Sequence, residues 1–281
     1  MNPMKATPRS KGNSASKAME KYERLSEIVR GIGSMVVAYS GGVDSSLLVR
    51  AAHDVLSNGS NGGSGKLLAV TADSGSYPRS EFAEAVELIK LMGVPHRVVQ
   101  SGEMDIPGYT DNPPDRCFYC KGELFGILKS IADDGGYAAV CDGANLDDAR
   151  DYRPGRRAAK KLDVRSPLME AGMTKEEGRL HAKRLGLPNW DKPAAACLAS
   201  RIPYGTEVTP ERLAQIGGLE AALSDLGLRK VRVRYHHELA RIEVAKSELE
   251  AAFALRDEIP RAGHAPGFTF VTLDLDGYRL G

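Results

Sequence analysis

The sequence is poor in cysteine and has no large excess of either charge. Four cysteines in 281 residues are too few for a disulfide scaffold, which favours a reducing compartment. Its 38 lysines and arginines against 37 aspartates and glutamates give a formal net charge of +1. Because a dedicated nucleic-acid binder normally carries a basic excess, this balance disfavours RNA or DNA as the main partner.

Long apolar runs are also absent. No stretch approaches the roughly 20 apolar residues needed to cross a bilayer, so a membrane is not an expected partner. The polar N-terminus lacks the apolar core of a secretory signal. We therefore expect a cytoplasmic protein with a disordered tail over residues 1–18.

Alternating strand and helix patterns occupy most of the chain. Short apolar runs predict strands at residues 35–39, 67–71, 97–99 and 138–141, and the β-branched run at 35–39 predicts a buried strand. Helical spacing or a capping box predicts helices at residues 19–32, 47–52, 81–92, 123–132 and 174–186. This order is typical of an α/β fold, a doubly wound parallel sheet with helices on both faces, over residues 19–206.

The pattern changes near the C-terminus. Strict alternation predicts a half-exposed strand at residues 231–235, and residues 240–244 are its candidate hairpin partner. A helix at 247–259 and a strand at 268–275 are expected to follow. With the helix that opens at Pro210, these elements predict a smaller α+β domain over residues 207–281.

A glycine-bearing turn at residues 40–45, Ser-Gly-Gly-Val-Asp-Ser, follows the first predicted strand and precedes a helix. Glycines let the backbone approach a ligand closely, and free N–H groups at a helix start bind anions. Asp44 repels phosphate, so we expect it to orient the turn or to hold Mg²⁺. The turn at residues 142–145 lies at the same carboxyl edge of the predicted sheet, where ligands bind.

This phosphate loop resembles that of the PP-loop ATP pyrophosphatases, which have a Rossmann-like fold and cleave ATP between the α and β phosphates. The resemblance implies ATP and Mg²⁺ as cofactors, and transfer of AMP to a carboxyl or carbonyl oxygen. The residues that it implies for nucleotide binding are Ser40, Gly41, Gly42, Asp44, Ser45, Thr71 and Gly143.

Three cysteines are candidate metal ligands. Cys117 and Cys120 are three residues apart, which puts both on one side of a helix, and Cys197 lies in a long irregular stretch at residues 189–206. Three thiolates can hold a 4Fe–4S cluster with one iron open, whereas Zn²⁺ normally needs a fourth ligand. Partly buried thiols without a metal are the alternative. Cys141 lies in an apolar strand and is expected in the core.

Three further segments are similar to the LarE family of sulfur transferases. They are residues 151–156 (Asp-Tyr-Arg-Pro-Gly-Arg), 200–206 (Ser-Arg-Ile-Pro-Tyr-Gly-Thr) and 231–236 (Val-Arg-Val-Arg-Tyr-His). That family serves biosynthesis of the nickel-pincer nucleotide cofactor. The resemblance implies an ATP-dependent, adenylating sulfurtransferase that converts a carboxylate of pyridinium-3,5-biscarboxylic acid mononucleotide into a thiocarboxylate.

Two branches of that family use cysteine differently. In one branch a cysteine about five residues before the arginine of the second segment gives up its own sulfur; here Ala196 holds that position and Cys197 follows it. The other branch holds a hydrosulfide on a three-cysteine 4Fe–4S cluster, and this chain resembles it better. The resemblance therefore implies Cys117, Cys120 and Cys197 as cluster ligands and catalytic residues.

The same resemblance implies roles for several charged residues. Glu220 matches an acidic active-site position, and Arg201 is expected to contact phosphate. Arg232 and Arg234 lie two apart on one strand face and suit the substrate's phosphate, although a solvated strand face is the alternative. Family members form homo-oligomers, and the sulfide donor is not defined. For residues 151–153 a structural and a functional role stay equally open.

Competing functions also follow from these motifs. A cluster-dependent tRNA thiolase shares the loop and the three cysteines but needs a basic tRNA face. A PP-loop amide-forming ligase does not need the cysteines. A zinc-stapled nucleotide-binding regulator would bind ATP without releasing pyrophosphate.

Overall fold

The chain forms two compact units. A computed structural model describes residues 11–57, 65–149, 153–194 and 196–278. The first unit comprises residues 1–71, 85–99 and 124–194, and the second comprises residues 72–84, 100–123 and 195–281. The second unit thus takes in two segments that precede the expected boundary at residue 207.

Helices and strands alternate through the first part of the chain. Within the described residues the α-helices are α1 (Lys11–Ile32), α2 (Val43–Ser57), α3 (Arg79–Leu91), α4 (Pro107–Thr110), α5 (Arg116–Gly135), α6 (Pro154–Lys161), α7 (Pro167–Glu170), α8 (Lys175–Arg184), α9 (Pro210–Asp225), α10 (Leu249–Ala254) and α11 (Glu258–His264). The strands are β1 (Met35–Ala38), β2 (Leu67–Asp73), β3 (His96–Gln100), β4 (Ala139–Cys141), β5 (Val231–His236), β6 (Leu239–Val244) and β7 (Phe270–Leu273).

The larger sheet is parallel, with the strand order β3-β2-β1-β4. Side chains of β1 alternate between two cores, as the period of a strand requires. Met35 and Val37 pack in a core with residues of α1 and α2, whereas Val36 packs in a second core with Leu128 and Ala132 of α5. Helices therefore cover both faces, which confirms the predicted α/β fold.

The smaller sheet has the order β5-β6-β7 and belongs to the second unit. β5 and β6 form the predicted antiparallel hairpin, and β7 runs parallel to β6. Buried residues of α9, including Leu213, Ile216 and Leu219, share a core with Val233 and Ile242 of the hairpin. The predicted α+β architecture at the C-terminus is confirmed.

Most predicted elements have somewhat different bounds in the structure, and the largest departures lie near the two ends of the chain. The helix expected at residues 247–259 is wrong as a single element: it is two helices, α10 and α11. Pro260 lies in the first turn of α11, where it can neither donate to a preceding carbonyl nor continue a helix from upstream. The last strand is shorter than expected, and α1 begins at Lys11, inside the tail expected at residues 1–18, of which residues 1–10 lie outside the described part.

Helix α8 begins at the predicted capping box. The Thr174 hydroxyl accepts from the Glu177 N–H, and the Glu177 carboxylate accepts from the Thr174 N–H. The helices of the described ranges contain no segment with the length and apolarity of a membrane span.

A buried histidine holds α1 against α8. His181 Nε2 donates to the Ala18 carbonyl at 2.9 Å, and its ring stacks on Tyr22 with 4.9 Å between centroids. The other ring nitrogen, Nδ1, is buried without a hydrogen-bond partner. Burial lowers the pKa of His181, with a further contribution from the Arg184 cation. The neutral ring is therefore the form that fits this interface.

Acidification is expected to destabilise the protein through His181. The unfolded chain binds the proton near the ordinary His pKa of 6.5, before the folded chain does, so the free energy of unfolding falls as the pH drops below about 6.5. His181→Gln keeps a donor for Ala18 and should flatten that fall. Urea unfolding of wild type and His181→Gln at pH values above and below about 6.5 measures this fall, with His53→Gln on α2 as the control. An equal pH slope in wild type and His181→Gln would contradict the assignment.

Candidate functional site

The phosphate loop closes on itself between β1 and α2. The Ser40 and Ser45 hydroxyls are 3.2 Å apart, and the Ser45 hydroxyl donates to the Gly42 carbonyl at 3.1 Å. Gly41 has a φ of +64°, and a Cβ there would lie 2.5 Å from the Cβ of Ala85. Only glycine fits this position, since both the backbone angle and the space exclude a side chain.

Asp44 is a partly buried carboxylate with one buried, unpartnered oxygen. Its Oδ2 accepts from Asn145 Nδ2 at 3.0 Å, whereas its Oδ1 is buried without a hydrogen-bond partner. Burial raises the pKa of Asp44, against the opposing effects of Lys175 and of the Asn145 hydrogen bond. An orphaned carboxylate oxygen beside a phosphate-type loop has the chemistry of a Mg²⁺ ligand.

Two distant segments hold the loop in place. Asn189 Nδ2 donates to the Gly41 carbonyl at 2.9 Å and to the Ser46 hydroxyl at 3.0 Å. Gly143, in the turn after β4, approaches so closely that a Cβ there would lie 2.8 Å from the Ser45 nitrogen. Sequence reasoning missed Asn189; its one signal was a polar residue at the start of the long irregular stretch.

Gly41→Ala is expected to lower the free energy of unfolding by about 2–4 kcal/mol, because it adds a left-handed backbone penalty to an overpacked contact. Gly42→Ala is the matched control. Its φ is not positive, and a Cβ there would meet only Ser40 Oγ, at 3.4 Å. Its cost should stay within about 1 kcal/mol. Urea unfolding of the two variants checks the difference, and equal losses would contradict the loop geometry.

Thr71 is buried at the end of β2 with its hydroxyl engaged. It donates to the Tyr39 carbonyl at 3.0 Å, so His96 Nε2 is the donor in the 3.0 Å contact with the same hydroxyl. Burial lowers the pKa of His96, which agrees with a neutral ring. The side chain of Thr71 therefore braces β1 against β3, and only its backbone and methyl group are left to line a nucleotide site.

Arg153 forms an ion pair at 3.0 Å with Asp148, whose side chain is buried. This contact ties the start of α6 to the turn after β4. Asp151 and Tyr152 of the same segment lie outside the described residues.

All three candidate cysteine ligands belong to the second unit. Cys117 and Cys120 lie at the start of α5, where the Cys120 thiol donates to the Cys117 carbonyl at 3.6 Å. The neighbouring Cys120 thiol lowers the pKa of Cys117 to about 6, with help from the Arg116 cation. The same contact raises the pKa of Cys120 well above its ordinary value. Burial raises the pKa of Cys197, which lies within electrostatic reach of Cys117 and Arg116.

Polar groups that the sequence did not single out surround these thiols. The Arg116 guanidinium is buried and donates to the Ala199 carbonyl at 3.0 Å and to Asn112 Oδ1. Tyr109 donates to the buried Glu103 carboxylate at 3.3 Å, and its pKa is raised by burial, by Glu103 and by Cys197. Residue spacing in the sequence could not identify these polar groups as neighbours of the cysteines, because they come from separate segments of the chain.

The three thiols are chemically suitable ligands for an iron–sulfur cluster, but their side chains are not arranged as a ligand set in this structure. Thiolate sulfur is the usual protein ligand of iron–sulfur clusters. Across the described ranges, however, no group of three His, Cys, Asp or Glu side chains is arranged to hold a metal ion. Ligation would require the thiols to turn toward a common centre. Cys141 is buried in the first unit, as expected, and burial raises its pKa to about 12.

The remaining predicted residues lie close together in the second unit. Arg201 and Glu220 form a buried ion pair at 2.9 Å. Arg234 pairs with Glu243 at 3.0 Å, while Arg232 stacks on the Tyr278 ring at 4.4 Å. Burial lowers the pKa of Arg232, and so do the cations of Arg201 and Arg234. No carboxylate of the described residues lies within ion-pair distance of Arg232, so its charge is available to an anion.

The parallel sheet and the turn that follows β1 define a PP-loop α/β fold. A scan against protein-family models gives no match. The chain is 43% identical over 263 residues to an uncharacterised protein of Synechocystis sp., covering 93% of this chain and 96% of that one. It is 28% identical over 245 residues to an uncharacterised protein of Methanocaldococcus jannaschii, covering 87% and 90%.

A third relative has an assigned activity. The chain is 36% identical over 261 residues to the pyridinium-3,5-bisthiocarboxylic acid mononucleotide synthase of Lactiplantibacillus plantarum, covering 93% of this chain and 92% of the synthase. The chain therefore belongs to the LarE family.

Proposed function

We propose that the chain is an ATP-dependent sulfurtransferase. It transfers AMP to a carboxylate of pyridinium-3,5-biscarboxylic acid mononucleotide and then delivers sulfur to form the thiocarboxylate. The observation that carries this proposal is the buried, unpartnered Oδ1 of Asp44, in a phosphate loop of a chain related to a synthase of the bisthiocarboxylic product. Cytoplasmic location, homo-oligomeric assembly and domains at residues 19–206 and 207–281 are parts of the proposal.

The first unit is assigned to ATP. Backbone N–H groups of residues 40–45 and the start of α2 bind the phosphates, and the hydroxyls of Ser40 and Ser45 add donors. Asp44 Oδ1 would hold Mg²⁺, which would supply positive charge against the phosphates. A carboxylate is a poor electrophile because its leaving group would be oxide. Adenylation replaces that leaving group with AMP, and the cationic surroundings stabilise the developing charge.

The second unit is assigned to sulfur delivery. Cys117, Cys120 and Cys197 would hold a 4Fe–4S cluster, and when bound it would keep one iron for a hydrosulfide ligand in its anionic, nucleophilic form. The low pKa of Cys117 supports ligation, because metals bind the thiolate. Arg116 supplies a buried positive charge beside these sulfur atoms.

The substrate's phosphate is assigned to Arg232 and Arg234. Charge-assisted hydrogen bonds from guanidinium groups are the usual way to hold phosphate. Arg232 offers an unneutralised charge, and its stacking on Tyr278 orients the guanidinium plane. Arg234 is held by Glu243, which fixes the neighbouring donor.

A panel of acceptors tests this function. Pyrophosphate release is measured under anaerobic conditions with ATP, Mg²⁺ and one of three acceptors: the pyridinium biscarboxylic acid mononucleotide, bulk tRNA, or none. Release that depends on the pyridinium nucleotide supports the proposal. Release that depends on tRNA would favour a tRNA thiolase, and ATP binding without release would favour a nucleotide-binding regulator.

A further inference from the structure

Arg201 is fully engaged inside the second unit. Its side chain is 6% exposed. Nη1 donates to the carbonyls of Ala196 at 2.7 Å and Cys197 at 3.1 Å, and to the Ser200 hydroxyl at 3.0 Å. Nε and Nη2 donate to the two carboxylate oxygens of Glu220 at 2.9 and 3.2 Å. This bidentate pair ties the backbone that carries Cys197 to helix α9.

Glu220 also reaches strand β5. Its Oε1 accepts from the Val233 N–H at 2.9 Å, and its side chain is 14% exposed. β5 is an edge strand with β6 on one side only, so an N–H that points away from β6 has no strand partner. Glu220 supplies the acceptor for that group.

Val233, whose N–H donates to Glu220, lies between Arg232 and Arg234 on β5. A second bond joins the same two segments, because Arg234 Nη1 donates to the Ser200 carbonyl at 3.1 Å. The segment that carries Cys197 and strand β5 are thus joined by the Arg201–Glu220 pair and by the Arg234–Ser200 hydrogen bond. Three donors already engage the Glu220 carboxylate, two of them on Oε1 and one on Oε2, so it is poorly suited to exchange a proton with a substrate.

We propose that the Arg201–Glu220 pair is a positioning device that fixes Cys197 relative to Arg232 and Arg234, and that Glu220 transfers no proton in the reaction. The roles of Cys197, Arg232 and Arg234 in this statement rest on the proposed function. Breaking the pair leaves a buried charge without its partner and frees both segments. A displacement of about 1 Å between reacting groups costs about 100-fold in rate.

Four variants test the role of the pair in activity. Glu220→Gln removes the charge, Glu220→Asp keeps an ionisable carboxyl on a shorter arm, and Arg201→Lys keeps the charge but loses the planar fork. Each is expected to lower kcat for thiocarboxylate formation about 100-fold without shifting the limbs of the pH–rate profile. The double variant Arg201→Lys/Glu220→Gln should be no slower than the slower single variant, because the two residues act as a unit.

Hydrogen exchange gives a readout that needs no activity. Backbone amides of residues 196–201 and 231–236 should exchange faster in all of these variants, and both segments should loosen together. Glu207→Gln is the matched control in the same unit. Glu207 pairs with Arg212 at 3.8 Å with 66% of its side chain exposed, so its loss should change neither exchange nor rate.

The outcomes separate this proposal from the proposed function. Wild-type activity in Glu220→Asp, with loss in Glu220→Gln, would assign proton transfer to Glu220 and overturn the positioning role. Unchanged exchange in either segment would overturn it as well. If the wild-type protein releases no pyrophosphate with the pyridinium nucleotide, the proposed function fails, and the exchange data still decide whether the pair joins the two segments.

Discussion

Asp44→Asn is expected to lower acceptor-dependent pyrophosphate release about 1,000-fold while leaving the fold intact. The substitution keeps the shape of the side chain and an acceptor for Asn145, but it removes the charge of the unpartnered Oδ1. A single group that stabilises transition-state charge in a water-poor site contributes effects of this size. Initial rates of release at saturating ATP and Mg²⁺ measure the loss.

Asp44→Asn should not lower the free energy of unfolding, although it lowers activity. Burial raises the pKa of Asp44, which means that the folded, ligand-free protein is destabilised by its charged form at neutral pH. Asparagine removes that penalty, so the free energy of unfolding should stay level or rise, as at other functional sites.

Asp54→Asn is the matched control for Asp44→Asn. Asp54 lies on the same helix and forms a partly exposed i,i+4 pair with Arg50 at 2.9 Å. Such a pair contributes about 0.3–0.5 kcal/mol, so the rate should remain at the wild-type level. Equal rates in the Asp44 and Asp54 variants would remove Asp44 from the ATP site.

Alanine at Cys117, Cys120 and Cys197 together is expected to abolish thiocarboxylate formation, by about 1,000-fold or more, while pyrophosphate release continues. The three cysteines are proposed to act together, so replacing them removes sulfur delivery as a whole. Pyrophosphate release continues because ATP chemistry is assigned to the first unit of the chain. Anaerobically purified wild-type protein should contain about four irons per chain with acid-labile sulfide, and the variant should contain none.

Cys141→Ala provides the control for thiol content. Cys141 is buried in the first unit, where burial raises its pKa to about 12 and makes the thiol inert. Iron and sulfur transfer should both persist, at a cost in stability of about 1 kcal/mol. Absence of iron in wild-type protein after anaerobic reconstitution would contradict the cluster and return the three thiols to a zinc or metal-free role.

Much of the fold could be predicted because it depends on local patterns. The apolar runs of β1 and β2, the turn at residues 40–45 and the capping box at Thr174 are each encoded within a few neighbouring residues. The alternating apolar and polar residues of the hairpin at residues 231–244 indicated a sheet with one buried face. The single helix expected at residues 247–259 was wrong because the apolar spacing continued across a break that Pro260 imposes.

The partners of polar side chains could not be predicted in the same way. The Arg201 motif indicated a phosphate contact, yet the structure gives the guanidinium five acceptors inside its own unit. Thr71 was expected to bind the nucleotide, and the structure shows its hydroxyl shared between Tyr39 and His96. Asn189 reaches the loop from 148 positions away. Each of these contacts depends on tertiary packing, which no local pattern carries.

Adenylation followed by sulfur delivery is tested most directly by mass analysis of one anaerobic reaction. The protein is incubated with ATP, Mg²⁺, sulfide and pyridinium-3,5-biscarboxylic acid mononucleotide, and pyrophosphate is counted against product. We expect one pyrophosphate for each carboxylate oxygen replaced by sulfur, and incorporation of label when the sulfide is ³⁴S. Pyrophosphate release with no sulfur in the product would contradict sulfur transfer, and sulfur in the product without pyrophosphate would contradict adenylation.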